Sequence, residues 1–191
     1  MKLQPGDALI IVDVQNDFCP GGSLAVPAGD QVIEDINRVA PLFSTVVTTQ
    51  DWHPADHCSF REKGGQWPVH CVAGTPGAEL HPRLKPGDNA VSIRKATSAD
   101  REAYSGFDGT GLSVQLKERG VRRVFIAGLA TDYCVKSTAL DAIRAGFEVV
   151  VLGDAVRAVN VKPGDGEEAL QEMRKAGAVV MESEELVPLH S

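Results

Sequence analysis

The sequence predicts an α/β fold with three α/β/α layers around a mainly parallel sheet of about six strands. Three observations carry that expectation. Apolar, β-prone runs without polar alternation recur along the chain, as strands covered on both faces require. Stretches with helical spacing alternate with them, the order that βαβ units produce. The 191 residues are enough to bury one substantial core without metal or disulfide staples, and no linker, internal repeat or low-complexity run divides them. Residues 1–191 therefore read as a single domain.

The first strand is the near-continuous apolar run 8–14, with Asp13 at its carboxyl end. A loop rich in Gly and Pro, 16–29, leads to a helix whose residues Val32, Ile33, Ile36, Val39 and Ala40 share one face, and 45–49 returns to β-type residues. Residues 50–88 are irregular and dense in Pro, Gly and His; loops of that length are usually functional or disordered, and the aromatic and histidine content argues for function. A third strand, 89–93, runs into Arg94 and Lys95, and a short helix, 112–119, stops at Gly120. The apolar strand 124–127 is expected to end at Gly128, with Thr131 and Asp132 as N-cap types for a helix that buries Val135, Ala139, Ala142 and Ile143 and stops at Gly146. A strand at 147–152, a helix at 167–176 with Ala169, Leu170, Met173 and Ala176 in register, and a strand at 178–181 complete the pattern; the acidic segment 182–191 reads as surface.

Composition excludes several classes of function. With 26 acidic against 19 basic residues and a net charge of −7, no broad phosphate-binding face is available, so nucleic acid is not an expected partner. The N-terminal apolar run is short and followed by acidic residues, a first strand and not a signal peptide or membrane span. Cys19, Cys58, Cys71 and Cys134 show no CxxC spacing and are too few for a disulfide framework, which fits a reducing, cytoplasmic location. A homo-oligomer is compatible with the sequence.

The chemistry gathers at strand ends. In open α/β sheets, ligands bind outside the carboxyl ends of the strands near the point where strand order reverses, and Asp13, Asp51, Lys95 and Cys134 each follow a proposed strand. Cys134 falls in a first helical turn, where unpaired N–H groups and the positive dipole end favour a thiolate and bind an oxyanion. Asp13 can move the proton, and the charge of Lys95 can lower the thiol's pKa. Taken singly, the cysteine reads equally as a packed small hydrophobe, Asp13 as a loop carboxylate and Lys95 as a solvated cation. Three reactive groups at strand ends favour catalysis.

The long irregular region holds a second constellation. In an extended chain, residues two apart point the same way, so Asp51 and His53 can present an oxygen and a nitrogen to one ion, with His70 closing the site and His57 and Glu62 nearby. Such mixed ligands suit one divalent ion, zinc first, with manganese or iron as alternatives. Cys58 and Cys71 rank as packing residues, and His81 and His190 as solvated. Phe18, Trp67 and Tyr104 lie in loops, either anchoring them or walling a pocket for a flat ring.

These residues sit in IIVDVQNDFCPGGSL (10–24), TQDWHPADHCSF (49–60), WPVHCVAGTPGAEL (67–80), RKAT (94–97), AYSGF (103–107) and AGLATDYCV (127–135). Together and in this order they resemble the nicotinamidase, or pyrazinamidase, group of the isochorismatase-like cysteine hydrolases, over nearly the whole chain. The resemblance implies an isochorismatase-like, Rossmann-like fold and a triad of Asp13, Lys95 and Cys134. It also implies metal ligands Asp51, His53 and His70, an oxyanion hole from the Ala130 and Cys134 N–H groups, and a cis peptide between Leu129 and Ala130. Similar enzymes complete the metal shell with a histidine aligned with His57 or a glutamate aligned with Glu62, and both stand here. The implied reaction is metal-dependent hydrolysis of nicotinamide to nicotinate and ammonia through a thioester, serving NAD salvage, with pyrazinamide also accepted. Within the family, isochorismatases and amidohydrolases of N-carbamoyl or ureido substrates share the fold but generally lack the Asp51, His53, His70 cluster. A non-catalytic nucleotide-binding or metal-storing protein is disfavoured, because no GxGxxG follows the first strand.

Overall fold

The computed structural model describes residues 1–186. Six strands, β1 (Asp7–Val12), β2 (Thr45–Asp51), β3 (Val91–Lys95), β4 (Arg123–Leu129), β5 (Glu148–Arg157) and β6 (Val179–Met181), form one sheet. Its order is β3-β2-β1-β4-β5-β6, and every neighbouring pair is parallel. Helices α1 (Val32–Val39), α2 (Leu112–Glu118), α3 (Lys136–Arg144) and α4 (Asp165–Ala176) cover it. The pleat sorts the core. Leu9, Ile11, Phe125 and Ala127 face α1 through Val32, Ile33, Ile36 and Val39, whereas Ala8, Ile10, Val12, Val124 and Ile126 face α2, α3 and α4 through Leu112, Leu116, Ala139, Ala142 and Met173. Burial on both faces explains why the strands lack polar alternation.

The chain winds outward from β1 through β2 to β3, then returns to lay β4 against the free side of β1. Strand order therefore reverses between β1 and β4, and the crevice above their carboxyl ends is where a ligand fits. The segment 50–88 folds across that end, tied down by isolated bridges between Gln15 and Leu80, His53 and Val72, and Phe60 and Trp67.

Several boundaries differ from the sequence expectation, each for a local reason. β1 stops at Val12, and Asp13 adopts a left-handed φ of 47°, a conformation that aspartate tolerates better than most residues. Gly128 does not end β4; the strand runs through it to Leu129. With φ at 114°, Gly128 passes so close to β1 that a Cβ would stand 2.1 Å from the Val12 carbonyl oxygen. Gly128→Ala is expected to cost about 3 kcal/mol or more, as overpacking and left-handed strain combine. Urea unfolding measures this, and a loss below about 1 kcal/mol would mean that β1 simply moves aside.

Thr131 and Asp132 do not cap a helix. Thr131–Val135 is a π-helical turn closed by the Val135 N–H on the Ala130 carbonyl at 3.1 Å, so the chain enters α3 already hydrogen-bonded. The Asp132 carboxylate instead accepts the N–H groups of Val159 (3.0 Å) and Asn160 (2.8 Å). The acidic segment is not wholly surface either: Ser183 is buried, and its N–H donates to Asp154 at 2.8 Å. Residues 187–191, His190 included, lie outside the described residues. Among the described residues no helix is long and apolar enough to cross a membrane.

Candidate active site

Lys95, at the end of β3, is the hub. Its ammonium is fully buried, 3.0 Å from Asp13 Oδ2 and 3.3 Å from Cys134 Sγ, and it donates to Asp51 Oδ1 and to the Ala103 carbonyl at 3.3 Å. The Asp51 and Lys95 backbones are register partners in neighbouring strands, which brings these two side chains together. Asp13 Oδ1 accepts the Thr49 hydroxyl at 2.6 Å. Its Oδ2 keeps an ion-pair distance from Lys95 but takes no aligned hydrogen bond, so it remains open to a proton. An oxygen of Asp13, an oxygen of Asp51 and Cys134 Sγ all lie within 4.8 Å of one another.

Burial and charge separate the two carboxylates. Burial alone would raise Asp51, but Lys95 and His53 outweigh it and hold its carboxyl well below the usual range. Asp13 is raised, because its burial prevails over the pull of Lys95 and Asp51 adds a like charge. Burial would lower Lys95, yet the two carboxylates hold its ammonium charged. The Cys134 thiol is pushed up by burial and by Asp13 and Asp51, against the pull of Lys95. This corrects the expectation of a resting thiolate. Cys134 sits in the buried π turn, beside two carboxylates, and not at an open helix end.

Next to this group stand the histidines. His53 Nδ1 lies 3.2 Å from the Ala96 carbonyl and His70 Nδ1 lies 2.8 Å from the Pro68 carbonyl. A carbonyl only accepts, so each Nδ1 carries the proton and each Nε2 offers a lone pair, the arrangement in which imidazoles bind metals. His53 Nε2 is buried without a hydrogen-bond partner, 3.5 Å from Asp51 Oδ2. Two facing acceptors in a dry site call for a cation or a proton between them. Donor atoms of Asp51, His53 and His70 lie within 4.8 Å of one another, so this set fits a divalent ion.

The other two ligand candidates stand differently. His57 stacks on His53 with centroids 4.1 Å apart, but its Nδ1 meets the Ser59 hydroxyl at 2.7 Å and its Nε2 the Arg101 carbonyl at 3.1 Å. Both nitrogens are engaged. Glu62 is exposed on the short turn Arg61–Lys63, outside the donor cluster, because that turn points to solvent.

A narrow cleft opens onto Cys134 and His70. Phe18, Trp67 and Tyr104 line it, as does Tyr133, which packs edge-on against Trp67 at 5.0 Å. The Trp67 indole N–H donates to the Tyr104 hydroxyl at 3.1 Å, and Phe18 packs 5.6 Å from the His70 ring. At the cleft floor the Tyr133 and Val135 N–H groups both donate to the Ala130 carbonyl at 3.1 Å. The Leu129–Ala130 peptide is cis.

The isochorismatase domain family matches residues 7–185. The chain belongs to this family. It is 44% identical to a nicotinamidase of Acinetobacter baylyi, across 93% of this chain and 92% of that protein. The crystal structure of a Pyrococcus horikoshii pyrazinamidase in complex with zinc is 51% identical, with a TM-score of 0.89 over 93% of this chain and 99% of that one. A PnC1 structure from L. infantum in complex with nicotinate is 44% identical, with a TM-score of 0.90 over 96% of each chain.

Some lining residues of this family member escape sequence reasoning. Tyr133 had a usable signal, an aromatic directly before the cysteine in a turn. Val159 had none, since it reaches the cleft through a tertiary bond from its N–H to the Asp132 carboxylate. Glu102 also went unmarked, although its negative charge acts on His53, His57 and Tyr104.

Proposed function

We propose that this protein hydrolyses nicotinamide to nicotinate and ammonia, accepts pyrazinamide, and serves recycling of nicotinamide toward NAD in the cytoplasm. One observation carries the proposal: a thiol, a raised carboxylate and a buried ammonium meet at the floor of an aromatic cleft beside Asp51, His53 and His70. Free cysteines throughout agree with a reducing compartment.

The resting thiol requires that deprotonation accompany attack. Asp13 takes the Cys134 proton as sulfur adds to the carboxamide carbon, and its raised pKa makes it a stronger base than an ordinary carboxylate. Lys95 holds both groups and neutralises charge as the thiolate forms. The Ala130 and Cys134 N–H groups receive the oxyanion. Collapse breaks the C–N bond, Asp13 returns the proton to the leaving amine, and ammonia departs from a thioester. Asp13 then removes a proton from water as its oxygen adds to the thioester carbon; loss of the Cys134 sulfur, reprotonated from Asp13, releases nicotinate.

Phe18 and Trp67 orient the ring in the cleft, with Tyr104 beside it. Asp51, His53 and His70 would hold one divalent ion, zinc before manganese or iron, which when bound supplies a Lewis-acid contact for the pyridine nitrogen. Of the residues considered to complete that shell, His57 instead supports His53 by stacking, and Glu62 is left to solvent.

Ammonia release from nicotinamide, followed with a coupled dehydrogenase assay, tests the proposal. Removal of metal by a chelator is expected to lower turnover by about tenfold or more, with recovery on adding zinc. Metal-loaded protein with an intact Cys134 thiol that releases no ammonia would overturn the assignment.

A further inference from the structure

A buried amide outside the triad holds this site in register. β1 ends at Val12 whereas its neighbour β2 runs on to Asp51, and the last register pair between them is Ile11 with Thr48. Asp51 is thus a strand residue whose backbone, on the side toward β1, has no strand to pair with. Buried backbone groups require partners. The Gln15 side chain supplies them: its Oε1 accepts the Asp51 N–H at 2.9 Å, and its Nε2 donates to the Asp51 carbonyl at 2.9 Å and to the Ala78 carbonyl at 2.8 Å. Only one orientation of the amide satisfies all three contacts, since the oxygen must face the donor and the nitrogen the two acceptors. Gln15 is fully buried, and its own N–H donates to the Asp13 carbonyl at 2.8 Å. One residue is therefore bonded to the backbone of the triad carboxylate and to that of the ligand carboxylate.

We propose that Gln15 is a positioning residue whose carboxamide replaces a missing strand and aims Asp51 at both Lys95 and the metal site. The proposal rests on Asp51 being a metal ligand. The direction of the Asp51 side chain follows from its backbone, and that backbone is held on one side by β3 and on the other by Gln15 alone among the described residues. Loss of the clamp leaves the ligand's identity unchanged and frees its orientation, a change that metal affinity registers more sharply than folding does.

The test is zinc binding by full-length, metal-free protein, in competition with a chromogenic chelator, together with thermal melting of the same metal-free samples. Gln15→Ala and Gln15→Glu are compared with Gln50→Ala. The glutamate keeps the size and the accepting oxygen but loses both donated bonds. Gln50→Ala removes the other bond to the Ala78 carbonyl, at 2.9 Å, and spares the clamp on Asp51. Both Gln15 variants are expected to bind zinc about 10- to 100-fold more weakly while remaining folded, and Gln50→Ala to keep wild-type affinity. Wild-type affinity in the folded Gln15 variants, equal weakening in Gln50→Ala, or loss of the metal-free fold in both Gln15 variants would each overturn the proposal. Failure of wild-type protein to bind zinc would overturn the ligand assignment beneath it, an outcome separate from the other three.

Discussion

Replacement of Cys134 by Ala is expected to abolish nicotinate formation, lowering kcat/KM by a factor of about 10⁴ or more. The magnitude follows from its place in the site. In the proposed mechanism Cys134 Sγ is the nucleophile; it lines the cleft, in contact with Lys95 at 3.3 Å and within 4.8 Å of the Asp13 carboxylate. Without sulfur no thioester forms, and water in the same position lacks a covalent route. Stability should change by only about 1 kcal/mol, since the loss of one sulfur from a packed turn leaves a small void. Nicotinate binding, measured by calorimetry on the variant, should survive because Phe18, Trp67, Tyr104 and the Asp51, His53, His70 cluster are untouched. Turnover within tenfold of wild type would remove Cys134 from the mechanism.

Lys95→Met is expected to damage both catalysis and folding. The ammonium is fully buried between two carboxylates whose oxygens lie within 4.8 Å of each other, and among the described residues no other cation pairs with Asp13. Breaking a buried ion pair by removal of one partner costs about 3–5 kcal/mol, because the remaining charge is stranded. In a protein of this size that corresponds to a fall in Tm of roughly 6–20 °C. Two carboxylates left face to face cannot both stay ionised, so Asp13 would take up a proton and lose its power as a base. The second-site variant Lys95→Met with Asp13→Asn should recover part of the stability and none of the activity. That non-additivity is the signature of direct coupling, and simple addition of the two single losses in calorimetric melting would contradict the charge argument.

The alternation of apolar strands with helical spacing was enough to define the architecture by itself, because strands covered on both faces must be apolar along their length. The same pattern located Asp13, Asp51, Lys95 and Cys134 at strand ends, and residue chemistry marked His53 and His70 as ligand types. What no periodicity encodes is strand order, since any parallel arrangement buries the same runs. Cys134 and Lys95 are 39 residues apart, and only the return of β4 to the free side of β1 closes that distance. Hydrogen-bond roles are likewise tertiary. His53, His57 and His70 are alike as letters, but the Ala96 and Pro68 carbonyls leave a nitrogen free on the first and last, while Ser59 and Arg101 occupy both nitrogens of His57. The thiol's elevated pKa is a third case: a cysteine before a helix suggests a thiolate, and burial beside two carboxylates reverses it. Sequence thus determined which groups were available and where each strand would present them. Folding decided which met, because contact between distant residues depends on sheet topology and charge depends on the company that topology provides.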